Sequence, residues 1–465
     1  MAPRSRFVLC LTVLAALTVT GSAAAGPTSD WTSFLSNPLH SSVSADATVT
    51  PATVAGLSQA WSWTPPIIAG SPARTLYSTP DVVNGTVYEG STNGAFYALS
   101  LSTGNVLWTD NLGAYQTKKE CEGFGFVASP AAANDPTTGK LTIYDAGGDG
   151  YLYALDAATG TVNWKVKTKI PSKTQNNYMN WSSPTIANGS IYLGIASDCD
   201  DPLIQGGLMK FSQSTGNLQH TYHTLAGTPA GTVGGSIWST ATATSKDVWV
   251  GVANALSLSA PRGDSESIVD LNAKTLKKKA IWQVPTADLV PDGGFGASVV
   301  PFTATIGGVA TPMIGDCNKN GKFYAIDTQT MTEVWQINVD VGRGPCTAGA
   351  IWDGTNLIVS GQQTKILGVK VPGSIRSLDP ATGKTRWQTA LGAAVLGTPS
   401  ESGGGVVAVA TWDSGNPNAL YFVDPATGTV LRTIPESTTK EFSQPVFADG
   451  YVVTATLDGG LIAYH

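Results

Sequence analysis

Charged residues are scarce in this sequence of 465 residues. Asp, Glu, Lys and Arg make up 13% of the chain, which is about half of their usual share. The net charge is −6, and no run of Lys and Arg is longer than three residues. Nucleic acids and anionic membrane surfaces are bound through basic patches. The composition therefore argues against both as partners of this protein.

Cysteine is sparse as well, and its spacing excludes two kinds of site. The chain has 5 cysteines and contains neither a Cys-x-x-Cys nor a Cys-x-x-Cys-His motif. It therefore encodes no zinc ribbon and no site for covalently attached haem. His220 and His223 lack the spacing of a helical zinc pair, and we assign them to the surface.

Long apolar runs are absent except at the N-terminus. Residues 7–19 form an apolar run after two arginines, and three alanines ending at Ala25 offer a small-residue cleavage site. This pattern is typical of an export signal, which we place at residues 1–25. Cys10 lies inside the run, so it is not positioned for lipid attachment. No other stretch approaches the roughly 18 apolar residues of a membrane span, and we expect a secreted protein without membrane insertion.

What the chain does contain is a repeated phrase of about a dozen residues. An alternating apolar strand ends in Asp-x-x-Thr-Gly, and the strand that follows commonly carries a tryptophan. In this turn the Asp side chain can bond the backbone and Gly can take a positive φ. Repeats of roughly 40 to 60 residues built from short strands are typical of β-propellers. Copies of the phrase, some of them weak, occupy residues 96–108, 151–164, 268–282, 323–335, 377–387 and 421–428, and a further copy ends at Gly216.

The repeat is interrupted at the C-terminus. Residues 461–464 supply the strand before the turn, and the chain then stops. A matching strand is present near the start, at residues 57–63. Pairing these two segments would complete an eighth blade and remove the open sheet edges. We therefore predict an all-β, eight-bladed β-propeller over residues 56–465, with residues 26–55 as a linker or strap.

Unusual polar residues fall at one end of this predicted ring. Loops between the second and third strands of a blade, and between successive blades, open on the same face, where ligands commonly bind. We place seven polar residues there, together with the four cysteines that follow the signal: Asp198, Asp200, Asp201, Asn254, Asp292, Asp316 and Lys319. An even number of cysteines in an exported protein favours disulfides, and four allow three pairings. We predict the bonds Cys317–Cys346 and Cys121–Cys199, because each pair would meet at one seam between adjacent blades.

The repeat resembles that of the pyrroloquinoline quinone (PQQ) dehydrogenases, which are eight-bladed propellers that oxidise alcohols. Within that family it is most similar to the polyvinyl alcohol dehydrogenase branch. Trp238, in Gly-Gly-Ser-Ile-Trp, is similar to the tryptophan that stacks on the quinone. The resemblance also implies that Asp201 and Asn254 bind Ca²⁺, and that Lys319 contacts the quinone oxygens.

The sequence departs from the family at several of these positions. Asp201 stands where a Glu is usual, and Asn254 lacks the preceding Thr-Gly. The catalytic aspartate would directly precede Phe295, where this chain has Gly294, so we predict Asp292 as the base. Paired cysteines that cover the quinone in many members are reduced to Cys121, which we assign as a cofactor contact.

These residue types match the chemistry that the resemblance implies. A flat quinone needs an aromatic plane, and Ca²⁺ takes oxygen donors and polarises the carbonyl that receives hydride. A carboxylate takes the alcohol proton. We expect a secreted oxidoreductase that uses PQQ and Ca²⁺ on a small or polymeric alcohol or polyol, with a separate electron acceptor. The alternative is a non-catalytic propeller that binds a polymer or a protein at its mouth.

Overall fold

The computed structural model describes residues 29–69, 74–114, 125–168, 178–197, 200, 203–340, 346–412, 417–436, 443–457 and 460–465. These residues form eight antiparallel sheets, the blades of an eight-bladed propeller. The predicted all-β propeller is therefore confirmed. No helix among the described residues is long and apolar enough to cross a membrane.

Each blade has four strands, named A to D from the channel outwards. Blade 1 consists of β2 (Asp81–Val83), β3 (Thr86–Gly90), β4 (Ala95–Ser100) and β5 (Val106–Asn111). Blade 2 consists of β6 (Ala131–Asn134), β7 (Leu141–Ala146), β8 (Tyr151–Asp156) and β9 (Val162–Lys167). Blade 3 consists of β11 (Thr185–Ala187), β12 (Ser190–Ser197), β13 (Gly207–Ser212) and β14 (Leu218–His223), and β10 (Tyr178–Met179) also pairs with β12. Blade 4 consists of β15 (Thr242–Ala243), β16 (Asp247–Val252), β17 (Ser267–Asn272) and β18 (Lys278–Gln283).

The second half of the chain repeats this order. Blade 5 consists of β19 (Val300–Ile306), β20 (Val309–Cys317), β21 (Lys322–Asp327) and β22 (Thr332–Asn338). Blade 6 consists of β23 (Ile351–Trp352), β24 (Leu357–Ile366), β25 (Val369–Leu378) and β26 (Thr385–Leu391). Blade 7 consists of β27 (Ser400–Ser402), β28 (Val406–Ala410), β29 (Asn418–Val423) and β30 (Val430–Glu436). Blade 8 consists of β31 (Val446–Ala448), β32 (Tyr451–Thr456), β33 (Gly460–Tyr464) and, from the start of the chain, β1 (Gln59–Trp63); short 3-10 helices lie at Val54–Gly56 and Thr286–Asp288.

Blade 8 closes the ring as predicted. Strand β1 pairs antiparallel with β33, with Trp63 opposite Leu461 and Trp61 opposite Ala463. Because β1 comes from the N-terminal part of the chain, the first and last strands share one sheet. The closure leaves β33 hydrogen-bonded on both sides.

The repeated phrase locks each blade to the next one. In blade 2, Asp156 Oδ1 accepts the N–H groups of Ala158 and Thr159, both at 3.1 Å, and Gly160 takes a φ of +76°. The indole of Trp108, from blade 1, lies directly against this glycine. Trp61, Trp164, Trp335 and Trp387 pack in the same way on Gly104, Gly216, Gly383 and Gly428. The tryptophan of the phrase therefore needs the glycine of the following blade.

Replacing Gly160 with Ala should cost more stability than replacing Gly85 with Ala. Both glycines have positive φ, +76° and +71°, which costs an alanine about 1–2 kcal/mol. A Cβ at Gly85 would meet nothing within 4 Å, whereas one at Gly160 would lie 2.5 Å from Trp108 Cε3. Overpacking adds about 1–3 kcal/mol, and chemical denaturation of both variants measures the difference. Equal losses of stability in the two variants would contradict the proposed role of the Trp108–Gly160 contact between the blades.

A belt of side-chain hydroxyls lines the channel where the A strands begin. The backbone N–H of Thr79 donates to Ser129 Oγ in the next blade at 2.8 Å, and Ser129 N–H donates to Ser183 Oγ at 2.9 Å. The same kind of bond, from a backbone N–H to a side-chain hydroxyl of the next blade, links residue 183 to 240, 240 to 298 and 349 to 398. It also links residue 444 to 79 across the ring closure. Neighbouring blades are therefore held in register on the inside as well as at the outer turns.

Residues 29–50, here called the strap, circle the end of the channel opposite the mouth. Ser29 bonds Asp449 in blade 8, and Trp31 pairs with Val82 in blade 1. Phe34 lines the channel. The strap then bonds blades 2, 4, 6 and 7 and returns to blade 8. Its backbone partners there are Ala132, Ala243, Trp352 and Glu401, and side-chain bonds join it to Thr242 and Phe447.

Candidate functional site

A pocket of about 310 Å³ opens at the mouth of the ring, where four of the sequence-predicted site residues meet. Trp238 and Asp292 come from the loops that enter blades 4 and 5, whereas Asn254 and Lys319 come from loops between B and C strands of the same blades. The described walls are completed by Trp181, Ala196, Ser197, Asp200, Ser236 and Ala253. The propeller thus brings residues that are distant in sequence to one seam, between blades 4 and 5.

Trp238 forms the floor of this pocket. Its ring borders the mouth pocket on one side and a channel cavity of about 90 Å³ on the other. Gly296 in the next blade leaves room for the ring, because a Cβ there would lie 2.1 Å from Trp238 Cζ2. A planar indole between mouth and channel is a surface on which a flat aromatic ligand can stack.

Asn254 lies where the blade 4 B strand meets the loop that carries Gly294. Its backbone oxygen accepts the N–H of Gly235 at 2.9 Å, and its side-chain Nδ2 donates to the oxygen of Ala255 at 3.2 Å. The amide therefore presents Oδ1 as its acceptor atom. A Cβ at Gly294 would lie 2.4 Å from Asn254 N and 2.4 Å from Ala253 Cα. This backbone has no room for the aspartate that the resemblance places at that position.

Lys319 and Asp292 form an ion pair above the floor. Lys319 Nζ lies 2.8 Å from Asp292 Oδ1 and 5.2 Å from the ring centroid of Trp238, within the range of a cation–π contact. The Asp292 side chain is 63% exposed and that of Lys319 is 20% exposed. Pairs this open to solvent are worth about 0–1 kcal/mol, so a ligand can separate the two charges at little cost.

Asp200 lies in the mouth pocket, on the face where the sequence places it, whereas Trp181 was missed by the sequence reasoning. Asp200 contributes a carboxylate, which accepts a hydrogen bond from Ser197 Oγ at 2.5 Å. Trp181 borders both the mouth pocket and the channel, as Trp238 does. A signal for it was present, because Trp181 precedes Ser183 of the hydroxyl belt by two residues, and Trp238 precedes Thr240 by the same interval.

Asp316 was expected in the mouth loops, and this expectation was wrong. Its side chain is buried, with 1% of the residue exposed, because it faces Gly251 of blade 4, where a Cβ would lie 2.6 Å from Oδ2. Burial raises the pKa of Asp316 well above its usual range, which favours the protonated form of the carboxyl. Glu89 and Asp145 occupy the same strand position in blades 1 and 2, and burial raises their pKa values too. This repeated acid belongs to the packing of the blades.

The predicted disulfide between Cys317 and Cys346 is confirmed. Their Cα atoms are 5.6 Å apart, and the bond links the end of β20 in blade 5 to the segment that enters blade 6. The other predicted pair, Cys121 and Cys199, lies outside the described residues. The same holds for Asp198 and Asp201, so the roles of Cys121 at the cofactor and of Asp201 at the metal stay predictions.

The described residues fit a flat, negatively charged quinone. Trp238 supplies the plane, Lys319 supplies a positive charge near it, and Asn254 supplies an amide oxygen on the same side. No three His, Cys, Asp or Glu side chains converge as a metal site within the described part of the chain. Ca²⁺ usually takes six to eight oxygens, so a cation here would also need oxygens from the ligand and from residues such as Asp201.

Comparison with protein families gives two matches. The profile described as "Glucose/ethanol/alcohol dehydrogenase, beta-propeller domain" matches residues 31–344. A second profile, described as "Outer membrane protein assembly factor BamB", matches residues 319–465. The first match spans more than half of the chain and includes every mouth-pocket residue described above.

Two curated proteins show sequence similarity over part of the chain. Quinohemoprotein alcohol dehydrogenase ADH-IIG of Pseudomonas putida is 26% identical over 156 residues, which cover 34% of this chain. The dehydrogenase subunit of alcohol dehydrogenase (quinone) from Gluconobacter oxydans is 29% identical over 160 residues, which cover 33% of this chain. The chain spans 20% of the length of each relative.

Solved structures show the same architecture over almost the whole chain. Quinohemoprotein alcohol dehydrogenase from Comamonas testosteroni superposes with a TM-score of 0.72 at 19% identity, covering 95% of this chain and 81% of that protein. A europium-containing methanol dehydrogenase gives a TM-score of 0.73 at 17% identity, covering 94% of this chain and 98% of that protein. At these identities the superpositions show the fold.

Proposed function

The chain belongs to the glucose/ethanol/alcohol dehydrogenase family of β-propellers, and on that premise we propose that it is a secreted quinoprotein-type oxidoreductase. It would oxidise an alcohol or polyol with PQQ and Ca²⁺ and pass the electrons to a separate acceptor. One observation carries the proposal: Trp238, Asn254, Asp292 and Lys319 come from four different loops and line one pocket. The polyvinyl alcohol branch that the repeat resembles makes a polymeric alcohol part of the proposed substrate range.

Each pocket residue has a role in this proposal. PQQ, when bound, supplies the electrophilic carbonyl that accepts hydride. Trp238 would support its plane, and Lys319 would offset its negative charge. Asn254 would give an amide oxygen to Ca²⁺, and Asp292 would leave Lys319 and hold the proton of the alcohol on its carboxylate. Because Asp292 is 63% exposed, it can reach a substrate that enters from solvent.

A second candidate is a non-catalytic propeller that binds a polymer or a protein at its mouth. The close packing of Gly294 on Ala253 and Asn254 favours it, since that packing leaves no carboxylate at the family's catalytic position. The match of the assembly-factor profile to residues 319–465 points in the same direction. Fold alone cannot choose between an enzyme and a binding module.

Replacing Trp238 with Ala should abolish PQQ binding. The mature protein is mixed with PQQ and Ca²⁺, and the bound quinone is followed by its absorbance spectrum and by quenching of tryptophan fluorescence. Trp238→Phe keeps an aromatic plane and should retain weakened binding, whereas Trp238→Ala removes the plane on which the quinone would stack. Equal PQQ affinity in the parent and in Trp238→Ala would contradict the pocket assignment.

Turnover then separates the two candidate functions. A dye-linked assay compares small alcohols, polyols and polyvinyl alcohol in the parent and in Asp292→Asn. Turnover that is lost in Asp292→Asn while PQQ stays bound identifies Asp292 as the base, and unchanged turnover excludes it. A parent that binds PQQ but oxidises none of these alcohols supports the binding module.

A further inference from the structure

A second cavity lies on the opposite face of the ring, beneath the strap. It has a volume of about 750 Å³, within the range of pockets that hold small ligands. Its described walls come from the strap, from turns between A and B strands of blades 3 to 5, and from the start of blade 6. We call this cavity the strap groove; the mouth pocket lies at the other end of the channel.

An extended hairpin in blade 5 builds one side of the strap groove. Strands β19 and β20 are 7 and 9 residues long, whereas the A strand of blade 1 has 3 residues. The extension carries exposed Thr303 and Pro312 along the groove, and Asn37 and Pro38 of the strap face it from the other side. This hairpin makes the groove a feature of blade 5 and not of every blade.

Aromatic and apolar side chains form the floor. Phe302 and Met313 are 3% and 1% exposed, and the half-buried Trp352 packs against Phe302 with ring centroids 5.8 Å apart. Trp249 also lines the groove. Its indole Nε1–H is buried and has no hydrogen-bond partner among the described residues. The floor of the strap groove is therefore largely aromatic and apolar.

The chemistry of the lining selects an uncharged, hydroxylated ligand. No Asp, Glu, Lys, Arg or His is among the described residues that line the strap groove. Charged ligands need paired charges when they lose water, and the groove offers none. Its polar groups are amides and hydroxyls placed beside aromatic surfaces: Asn37, Ser41, Asn188, Thr244, Ser245, Thr303 and Thr328.

From this combination we propose that the strap groove binds a neutral oligosaccharide chain. The apolar faces of sugar rings pack on aromatic side chains such as Trp352, while their hydroxyls exchange hydrogen bonds with amides and hydroxyls. A lipid tail would form no hydrogen bond with these amides and hydroxyls, whereas sugar hydroxyls can use the bonding capacity that they retain beside their partners within the protein. The groove is independent of the mouth pocket, so this binding does not require the dehydrogenase proposal to hold.

The test uses the mature protein and three neutral probes, namely cellohexaose, maltohexaose and xylohexaose. Isothermal titration calorimetry and tryptophan fluorescence measure their binding, and at least one should bind saturably with a change in fluorescence. Trp352→Ala should weaken that binding about tenfold or more, because loss of a central aromatic contact costs more than about 1.4 kcal/mol.

A second pair of variants distinguishes a loss of binding from a folding defect in Trp352→Ala. Thr303 and Thr305 are both exposed and lie on the same face of β19, but only Thr303 is among the described groove residues. Thr303→Glu places a charge in the neutral groove and should weaken binding about as much. Thr305→Glu, and Trp238→Ala at the mouth, should bind like the parent.

Three results would overturn the proposal. One is that none of the three oligosaccharides binds to the parent protein. Another is that binding survives unchanged in Trp352→Ala and Thr303→Glu. The third is that an uncharged proline-rich peptide binds with the expected sensitivity to these variants while the sugars do not, which would assign the groove to a peptide.

Discussion

A chain that ends before Gly460 is expected to lose the closed ring altogether. Strand β33 lies between β32 and β1, so its removal leaves β1 without a sheet and exposes an edge of blade 8. Leu461, Ala463 and Tyr464 are buried in the parent. Burial of one large apolar side chain is worth about 1.5–3 kcal/mol, and the strand hydrogen bonds are lost as well. The sum approaches the whole stability of a typical domain, about 5–15 kcal/mol.

Thermal unfolding followed by circular dichroism and limited proteolysis measure this effect. The matched control is Ile462→Ala, which alters the intervening half-buried side chain and keeps the backbone pairing with Ser62. The control should unfold cooperatively at a slightly lower temperature. A truncated chain that unfolds as cooperatively as Ile462→Ala would show that the ring does not depend on its last strand.

Replacing Glu401 with Gln is expected to change how stability depends on pH. Glu401 is buried, and desolvation, aided by the nearby negative charge of Asp353, raises its pKa from 4.5 to about 8. The folded state therefore holds a proton that the unfolded state releases above pH 4.5. The stabilisation is fully present below pH 4.5 and is lost as pH rises to about 8. At 1.36 kcal/mol per pKa unit, the loss is on the order of 5 kcal/mol.

Urea unfolding between pH 4.5 and 8.5 compares the parent with Glu401→Gln. The free energy of unfolding of the parent should fall relative to the variant across this range, because the amide does not titrate. Asp110→Asn, on the outer strand β5, is the control and should run parallel to the parent. A constant difference between parent and Glu401→Gln at every pH would contradict a protonated Glu401 in the folded state.

Burial of His40 in the strap should make the stability of the fold decrease at low pH. Burial lowers its pKa from 6.5 to about 3, so the folded state excludes a proton that the unfolded state binds. The corresponding stabilisation is present above pH 6.5 and is lost as pH falls towards 3. Both groups lie at the strap, since Glu401 exchanges backbone hydrogen bonds with strap residues Ser42 and Ser44.

The eight blades and their closure could be predicted because the signals are local. Asp-x-x-Thr-Gly encodes a turn within a few residues, and the strand missing from the last copy was present at residues 57–63. The disulfide between Cys317 and Cys346 followed from the positions of the two residues relative to their strands. The meeting of Trp238, Asn254, Asp292 and Lys319 followed from the family resemblance and the blade order together.

What escaped prediction depends on contacts between distant parts of the chain. Asp316 was placed at the mouth because it ends a strand, but the direction of its side chain depends on the glycine of the neighbouring blade. Nothing local in the strap sequence indicates that it circles the channel. Trp181 has no motif of its own, and only its interval to Ser183 matches that of Trp238.

The return of the strap to its starting blade bears on the order of folding during synthesis. Ser29 bonds a residue 420 positions later in the chain, and β1 finds its place only beside β33. Neither the Ser29 bond nor the pairing of β1 with β33 can therefore form until the last blade has been made, however early the middle blades form. Contacts between such remote residues slow folding. The ring can therefore close only after the whole chain has been made.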